Sequence, residues 1–237
     1  MNLAYTAYHL FGKLIYLALY PAFVIYSATS ERKKESIRQR FGHYTKALVD
    51  SLAGTPRIWI HAASVGEIGV AESIINALRV SLPEAAILVS TITEHGQAYA
   101  RARLSSEITC VYAPLDLPTT VTRSLARVRR DILACLETEI WPNWLITAHN
   151  MGVKTAIVNG RISVRSIESY RKIRPLIKET LTRINTFSMI QTIDADRIRR
   201  LGAPEDRIAV NGNAKYDRLL HQADPALKDD MARRFDL

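Results

Sequence analysis

Cysteine is nearly absent from this sequence: two residues in 237, Cys110 and Cys135. Both sit in apolar runs, and neither has the Cys-x-x-Cys or histidine spacing of a redox or metal site. Buried, reduced thiols in a reducing compartment are expected, with no disulfide. Carboxylates are also in the minority, 23 against 32 lysines and arginines, which leaves a formal charge of +9. That excess favours an acidic partner, whether nucleic acid, an anionic membrane face or a phosphorylated substrate, and does not choose among them. No low-complexity tract or repeat period interrupts the chain. With 48% apolar residues, most of it should fold, as one large domain or two small ones.

Charge is missing from one stretch in particular. Leu3 to Ala28 holds a single full charge, Lys13, among Leu, Ile, Tyr, Phe and Ala. It is long enough for a membrane span, with Tyr5, Tyr8, Tyr20 and Tyr26 placed to anchor at an interface. A cleaved leader carries its cations first, whereas here Arg32, Lys33, Lys34, Arg38 and Arg40 come afterwards. The positive-inside rule then keeps the body of the protein cytoplasmic. Lys13 and Pro21 leave three readings open: a span, a helix lying in the membrane plane, or an apolar helix docked on the protein's own core. Residues 1–30 are read as a membrane-anchoring helix and 31–56 as a basic amphipathic connector.

From Arg57 onward, short apolar runs alternate with amphipathic stretches. Runs at 58–61, 86–91, 108–112, 132–136, 154–158, 186–191 and 207–210 read as strands, and helices are expected from Glu67 on, after the 93–96 turn through Arg103, at 119–130, at 167–184 and up to Leu201. That alternation implies a Rossmann-like parallel sheet with helices on both faces. The two basic helices would suit phosphates but lack interleaved aromatics, so no nucleic-acid partner is expected.

In such sheets ligands bind beyond the carboxyl ends of the strands. Polar residues recur there: Ser64 and Glu67, Glu94 and His95, Asp116, Glu137 and Glu139, Asn159 and Arg161, Gln191, Asn213 and Lys215. The fullest case is Arg57 to Val80, where an apolar run, a small-residue turn and a helical spacing follow in order. Helix starts leave N–H groups unpaired and attract anions. Glu67 at that mouth reads either as a working carboxylate or as an acidic first-turn residue offsetting the helix dipole.

Four motifs then carry a family resemblance: His-Ala-Ala-Ser-Val-Gly-Glu at 61–67, Leu-Glu-Thr-Glu-Ile-Trp-Pro-Asn at 136–143, Asn-Gly-Arg-Ile-Ser at 159–163 and Gly-Asn-Ala-Lys-Tyr-Asp at 212–217. In this order, with Arg40-Phe41-Gly42 and the apolar N-terminus, the chain resembles the Kdo transferases of lipopolysaccharide synthesis. The resemblance implies a glycosyltransferase-B architecture of two Rossmann-like domains. It implies inverting, metal-independent transfer of Kdo from CMP-Kdo to a lipid A precursor (lipid IVA) at the cytoplasmic face of the inner membrane. No cofactor or metal is implied.

By motif, Glu67 resembles the general base. Ser64, Gly66, Glu137, Glu139, Arg161, Ser163, Asn213 and Lys215 resemble substrate-binding positions, with Arg161 and Lys215 beside acceptor or donor anions. His61 is set aside as the end of a buried strand, and Trp141 and Pro142 as shapers of a turn. One motif departs from the pattern: Thr-Glu-His-Gly at 93–96 stands where the family often has Thr-Pro-Thr-Gly. The resemblance divides the chain into an acceptor-binding domain at 57–221 and the start of an interdomain linker at 222–237. The donor-binding domain is then absent, either because the chain is truncated or because that half is a separate chain, and transfer by these 237 residues alone is not expected. The rival reading is a non-catalytic, membrane-bound module that binds an anion or lipid acceptor.

Overall fold

The computed structural model describes residues 3–216. The expectations for Asp217 of the fourth motif and for the linker at 222–237 lie outside the described residues.

Seven parallel strands form one sheet in the order β3-β2-β1-β4-β5-β6-β7. They are β1 (Arg57–His61), β2 (Ala86–Thr91), β3 (Thr109–Tyr112), β4 (Ile132–Leu136), β5 (Lys154–Gly160), β6 (Thr186–Met189) and β7 (Ile208–Val210). Strand side chains alternate between two apolar clusters. Ile58, Ile60, Ile87, Val89, Ala134 and Leu136 pack on one face of the sheet. Trp59, Leu88, Val111, Leu133, Cys135, Ile157 and Phe187 pack on the other. Burial on both faces is why these strands read as continuous apolar runs. Helices α4 (Val65–Ser81) and α5 (Glu94–Arg103) cover the first face. Helices α6 (Pro118–Val128), α7 (Pro142–Asn150), α9 (Arg174–Leu181) and α10 (Thr192–Leu201) contribute side chains to the second cluster. The fold is the expected Rossmann-like α/β sheet. Both cysteines are free and buried in it.

Two helical expectations change. The stretch 167–184 is not one helix: α8 (Val164–Lys172) ends at Ile173, and α9 begins beside Pro175. Proline lacks an N–H and its ring clashes with the preceding turn, so it fits a first turn and breaks an interior. Helix α7 has no counterpart among the helices expected from sequence. Its N-cap position is Trp141, which makes no side-chain cap. The cap comes from Asp116 instead, whose carboxylate accepts the Asn143 N–H at 3.1 Å and the Trp144 N–H at 2.8 Å.

The N-terminal helix α1 (Leu3–Ser27) is long and apolar enough to cross a membrane by length and composition. One stripe of it, through Tyr5, Tyr8, Gly12, Tyr16 and Phe23, is half-buried against the body. The Tyr8 hydroxyl donates to Asp116 at 2.8 Å, and that of Tyr26 to Glu94 at 2.8 Å. Phe41, which follows α2 (Glu31–Arg40), meets the rings of Tyr16 and Phe23 edge-on. Arg40 donates to the Ile92 carbonyl and lies over the Tyr112 ring. Gly42, at φ 78°, sits so close to α6 that a Cβ would meet the Thr120 carbonyl at 2.7 Å. Arg40-Phe41-Gly42 is therefore the clasp joining α1 and α2 to the sheet. The opposite side of α1 leaves Leu3, Leu10, Phe11, Leu14, Leu17 and Ile25 exposed.

Candidate active site at the β1–β4 crevice

Strand order reverses at β1. The chain leaves β1 for β2 and β3 on one side, then returns through α6 to β4 on the other. The loops leaving β1 and β4 diverge at such a point and open a crevice at the carboxyl ends. The turn from β1 into α4 carries Ser64, Gly66 and Glu67. The turn from β4 into α7 carries Glu137 and Glu139.

Ser64 is the N-cap of α4, and its Oγ accepts the Glu67 N–H at 3.4 Å. Glu67 turns back: Oε2 accepts the Ala63 N–H at 2.6 Å and Oε1 the Ser64 hydroxyl at 3.0 Å. This is a capping box shifted by one residue, so the dipole-offsetting reading of Glu67 describes a real duty. It does not exhaust the residue. Glu67 is only 6% exposed, and its pKa is pushed up to about 7, chiefly by burial. The Ala63 N–H opposes that rise, the Glu139 charge adds to it, Ser64 opposes and Glu137 adds. A carboxylate poised near neutrality can take a proton and give it back. Gly66, exposed and without a side chain, leaves the start of α4 open beside it.

Glu139 is held differently. Its Oε2 accepts the Trp141 indole N–H at 2.7 Å and lies 3.8 Å from His61 Nε2. Burial alone would raise its pKa, but His61 and Trp141 together hold it below the usual carboxylate value. The crevice thus sets one carboxylate up and its neighbour down, the environment that separates an acid–base group from a fixed charge. Glu137, in the left-handed region at φ 51°, accepts the Lys215 ammonium at 2.8 Å. The Asn213 Oδ1 accepts the Lys215 N–H at 3.0 Å, and Asn159 accepts the Ala214 N–H at 2.9 Å. These bonds fold the segment after β7 back over the ends of β4 and β5.

The remaining positions stand apart. Ser163 is the N-cap of α8, accepting the Ser166 N–H at 3.0 Å. Arg161 is exposed and makes no hydrogen bond or ion pair among the described residues. Asn159 and Gly160 deliver it to the edge: Asn159 has φ 55°, and a Cβ on Gly160 would meet Met189 Sδ at 2.6 Å. In the divergent 93–96 turn, Thr93 caps α5 and Glu94 is taken up by Tyr26 and, at 4.0 Å, Arg32. Those contacts place it with α1 and α2. His61 and Asp116 carry more than their sequence positions suggest. The only signal in the sequence is their place at strand ends, because their partners come from distant elements.

Similarity to known proteins bears on the family and the fold of the chain. Residues 35–218 match the family described as 3-deoxy-D-manno-octulosonic-acid transferase (kdotransferase). The chain is 31% identical over 191 residues to the 3-deoxy-D-manno-octulosonic acid transferase of Haemophilus influenzae, covering 81% of this chain and 44% of that protein. It is 33% identical over 211 residues to a bifunctional glycosyltransferase/methyltransferase of Fusobacterium nucleatum, covering 88% of this chain and 31% of that one. Among solved structures, UDP-GlcNAc 2-epimerase from Methanocaldococcus jannaschii shares the fold, with a TM-score of 0.53 at 15% identity over 76% of this chain and 52% of that chain. The chain therefore spans less than half the length of these two curated relatives.

Proposed function

We propose that this chain, which belongs to the Kdo transferase family, carries the acceptor side and the general base of a glycosyltransferase in lipopolysaccharide synthesis. The reaction is inverting transfer of Kdo from CMP-Kdo to a lipid A precursor such as lipid IVA. The observation that carries the reading is Glu67, a buried carboxylate at the strand-order reversal with its pKa near neutrality. In its ionised form Glu67 takes the proton from the attacking sugar hydroxyl. The freed oxygen bonds to the anomeric carbon of Kdo, and CMP leaves with the bonding electrons. Glu137 and Glu139 line the sugar site. Arg161 and Lys215 face the phosphate and carboxylate groups that donor and acceptor bring, and the formal charge of +9 draws those anions in. No metal enters this scheme.

The sheet serves as the N-terminal Rossmann-like unit, at 57–221, of a glycosyltransferase-B architecture, with donor binding by a second such unit. The exposed side of α1, followed by Arg32, Lys33 and Lys34, holds the unit on the cytoplasmic face of an anionic inner membrane.

The test is CMP release from CMP-Kdo in the presence of lipid IVA. It is run with the chain and with the chain joined to the part of the Haemophilus influenzae relative that it does not match. Turnover in either should rise with pH through about 7, following Glu67, and fall by at least roughly a hundredfold on Glu67→Gln. Turnover indifferent to Glu67→Gln would remove the base assignment. Lipid IVA binding without turnover in both forms would favour the non-catalytic acceptor module, for which the exposed Arg161 and exposed α1 suffice.

A further inference from the structure

One buried side chain at the crevice has no part in the chemistry just described. His61 closes β1, is fully buried, and turns its two ring nitrogens toward different elements. Nδ1 lies 3.0 Å from Ser90 Oγ on β2. That hydroxyl already accepts the Trp59 indole N–H at 2.8 Å. Nε2 faces Glu139, 3.8 Å from Oε2, and has no hydrogen-bond partner among the described residues. Trp144 and Trp141 flank the ring at 4.9 and 6.3 Å between centroids.

The relay and the facing carboxylate together settle where the imidazole proton sits. An indole N–H only donates, so Ser90 spends a lone pair on Trp59 and keeps its own hydrogen to give. Given to Nδ1, that hydrogen leaves a neutral imidazole with its proton on Nε2. In an imidazolium, Nδ1–H donates to the second lone pair of Ser90, and Nε2 again carries a proton. The remaining form, Nδ1–H with a bare Nε2, would turn a lone pair on a carboxylate away from water, a costly arrangement.

We propose that His61 is the positioning residue of Glu139: the Trp59–Ser90 relay presents an Nε2–H to the carboxylate and keeps it ionised and fixed. A movement of roughly 1 Å brings the two atoms to hydrogen-bond distance, and such bonds commonly tighten when a site fills. The surroundings agree. Glu139 is faced by His61 from β1, Cys135 from β4, Tyr170 from α8, Glu67 from α4 and Trp141 on its own loop. Burial first, then the Glu139 charge, pushes the Cys135 thiol and the Tyr170 hydroxyl up. That Glu139 lines a sugar site rests on the transferase reading. Its contact with His61 does not.

The test therefore needs no turnover. Long-range proton–nitrogen NMR of the 15N-labelled chain resolves the histidine rings, with His61 identified by its loss in His61→Gln. The expected pattern is a protonated Nε2, and a resident Nδ1–H, bare-Nε2 tautomer would overturn the proposal. The Glu139 carboxylate, followed by 13C, should titrate at a higher pH in His61→Leu. His61→Gln, which keeps an N–H donor, should restore at least half of that shift. An unmoved midpoint in His61→Leu, or equal midpoints in the two variants, would also overturn it. Where His61→Leu does not fold, Glu139→Ala reads the contact from the other side. It should move the Nε2 resonance and leave Nδ1 in place, and an unmoved Nε2 counts against the contact.

Discussion

Two neighbouring stretches of one sheet edge treat charge in opposite ways. Between β1 and β4 the charged groups are sheltered and engaged with one another: Glu67 with Ala63 and Ser64, Glu139 with Trp141, Glu137 with Lys215. Past β5, Arg161 stands in solvent with no bonding partner among the described residues, and Ser163 is occupied with capping α8. A buried carboxylate has its proton affinity set by the protein, so it can be tuned for chemistry. An exposed guanidinium keeps its charge under all ordinary conditions and can only attract. On the proposed reading, the first stretch serves the reaction and the second recruits its anions.

The sharpest way to break that division is at Glu67. Glu67→Gln keeps the shape and an acceptor for the Ala63 N–H while removing the base, and transfer should fall about 10²–10⁴-fold. Stability should move the other way. The folded-state pKa is raised from 4.5 to about 7. Between those values the folded chain holds a proton that the unfolded chain has released, so this group's contribution to stability declines as pH rises across the window. The variant stays neutral and should lose that decline. Thermal unfolding from pH 4.5 to 7.5 checks it: parent and variant should agree at the acid end, with the variant ahead at the other. Parallel curves would mean that Glu67 titrates like an exposed carboxylate.

A second effect tests whether α1 belongs to the crevice or merely leans on it. Asp116 accepts two N–H groups at the start of α7, the helix that leads away from Glu139, and holds the Tyr8 hydroxyl. Its own pKa is pushed up to about 6, first by burial, with those three bonds opposing. Asp116→Asn should cost about 1–3 kcal/mol, because a buried amide N–H is left without an acceptor. Tyr8→Phe removes one bond at the helix contact and should cost about 1 kcal/mol. Chemical denaturation reads both. If Tyr8→Phe has no effect while Asp116→Asn does, α1 is a separable anchor and the comparison narrows to the sheet edge.

A smaller effect is expected where the two stretches meet. The Lys215–Glu137 pair is partly exposed, 41% and 23% at the side chains, so solvent screens it. Lys215→Gln should change stability by less than about 1 kcal/mol while weakening binding of anionic substrate. A larger loss of stability would assign the pair to the fold.

The sequence makes some of this plain and hides the rest for physical reasons. Strands buried on both faces leave uninterrupted apolar runs, so β1, β2 and β4 can be read directly. Ser64-x-x-Glu67 is a local capping pattern, and that pattern alone puts Glu67 at a helix mouth. Helix α7 is hidden because its cap, Asp116, lies on the loop after β3 and not beside Pro142. The break between α8 and α9 has a local signal in Pro175, which the amphipathic pattern on either side masks. His61 looks like an ordinary strand end, since nothing near it in the chain foretells Ser90 on one side and Glu139 on the other. Local periodicity carries the sheet, and long-range pairing carries the site.

The last expectation belongs to Arg161, where effects on the fold should be smallest. It is exposed and has no partner among the described residues, so Arg161→Gln should leave stability within about 0.5 kcal/mol of the parent. Its proposed contribution to binding is a charge-assisted contact to phosphate or carboxylate, worth about 1.5–3 kcal/mol when fully formed. That corresponds to roughly tenfold or more in affinity for lipid IVA. Salt distinguishes this role from that of the crevice. An exposed cation acts through water, where the screening length shortens from about 30 Å at 0.01 M to about 10 Å at 0.1 M. The Arg161→Gln penalty should therefore shrink as salt is added. The Glu67→Gln loss, set by proton transfer in a sheltered crevice, should hardly change. Titration of lipid IVA into parent and Arg161→Gln at the two salt concentrations, with CMP release for Glu67→Gln alongside, makes the comparison. A penalty at Arg161 that persists at high salt would mean that the cation is sheltered once substrate is bound. The recruiting stretch would then be part of the reaction site.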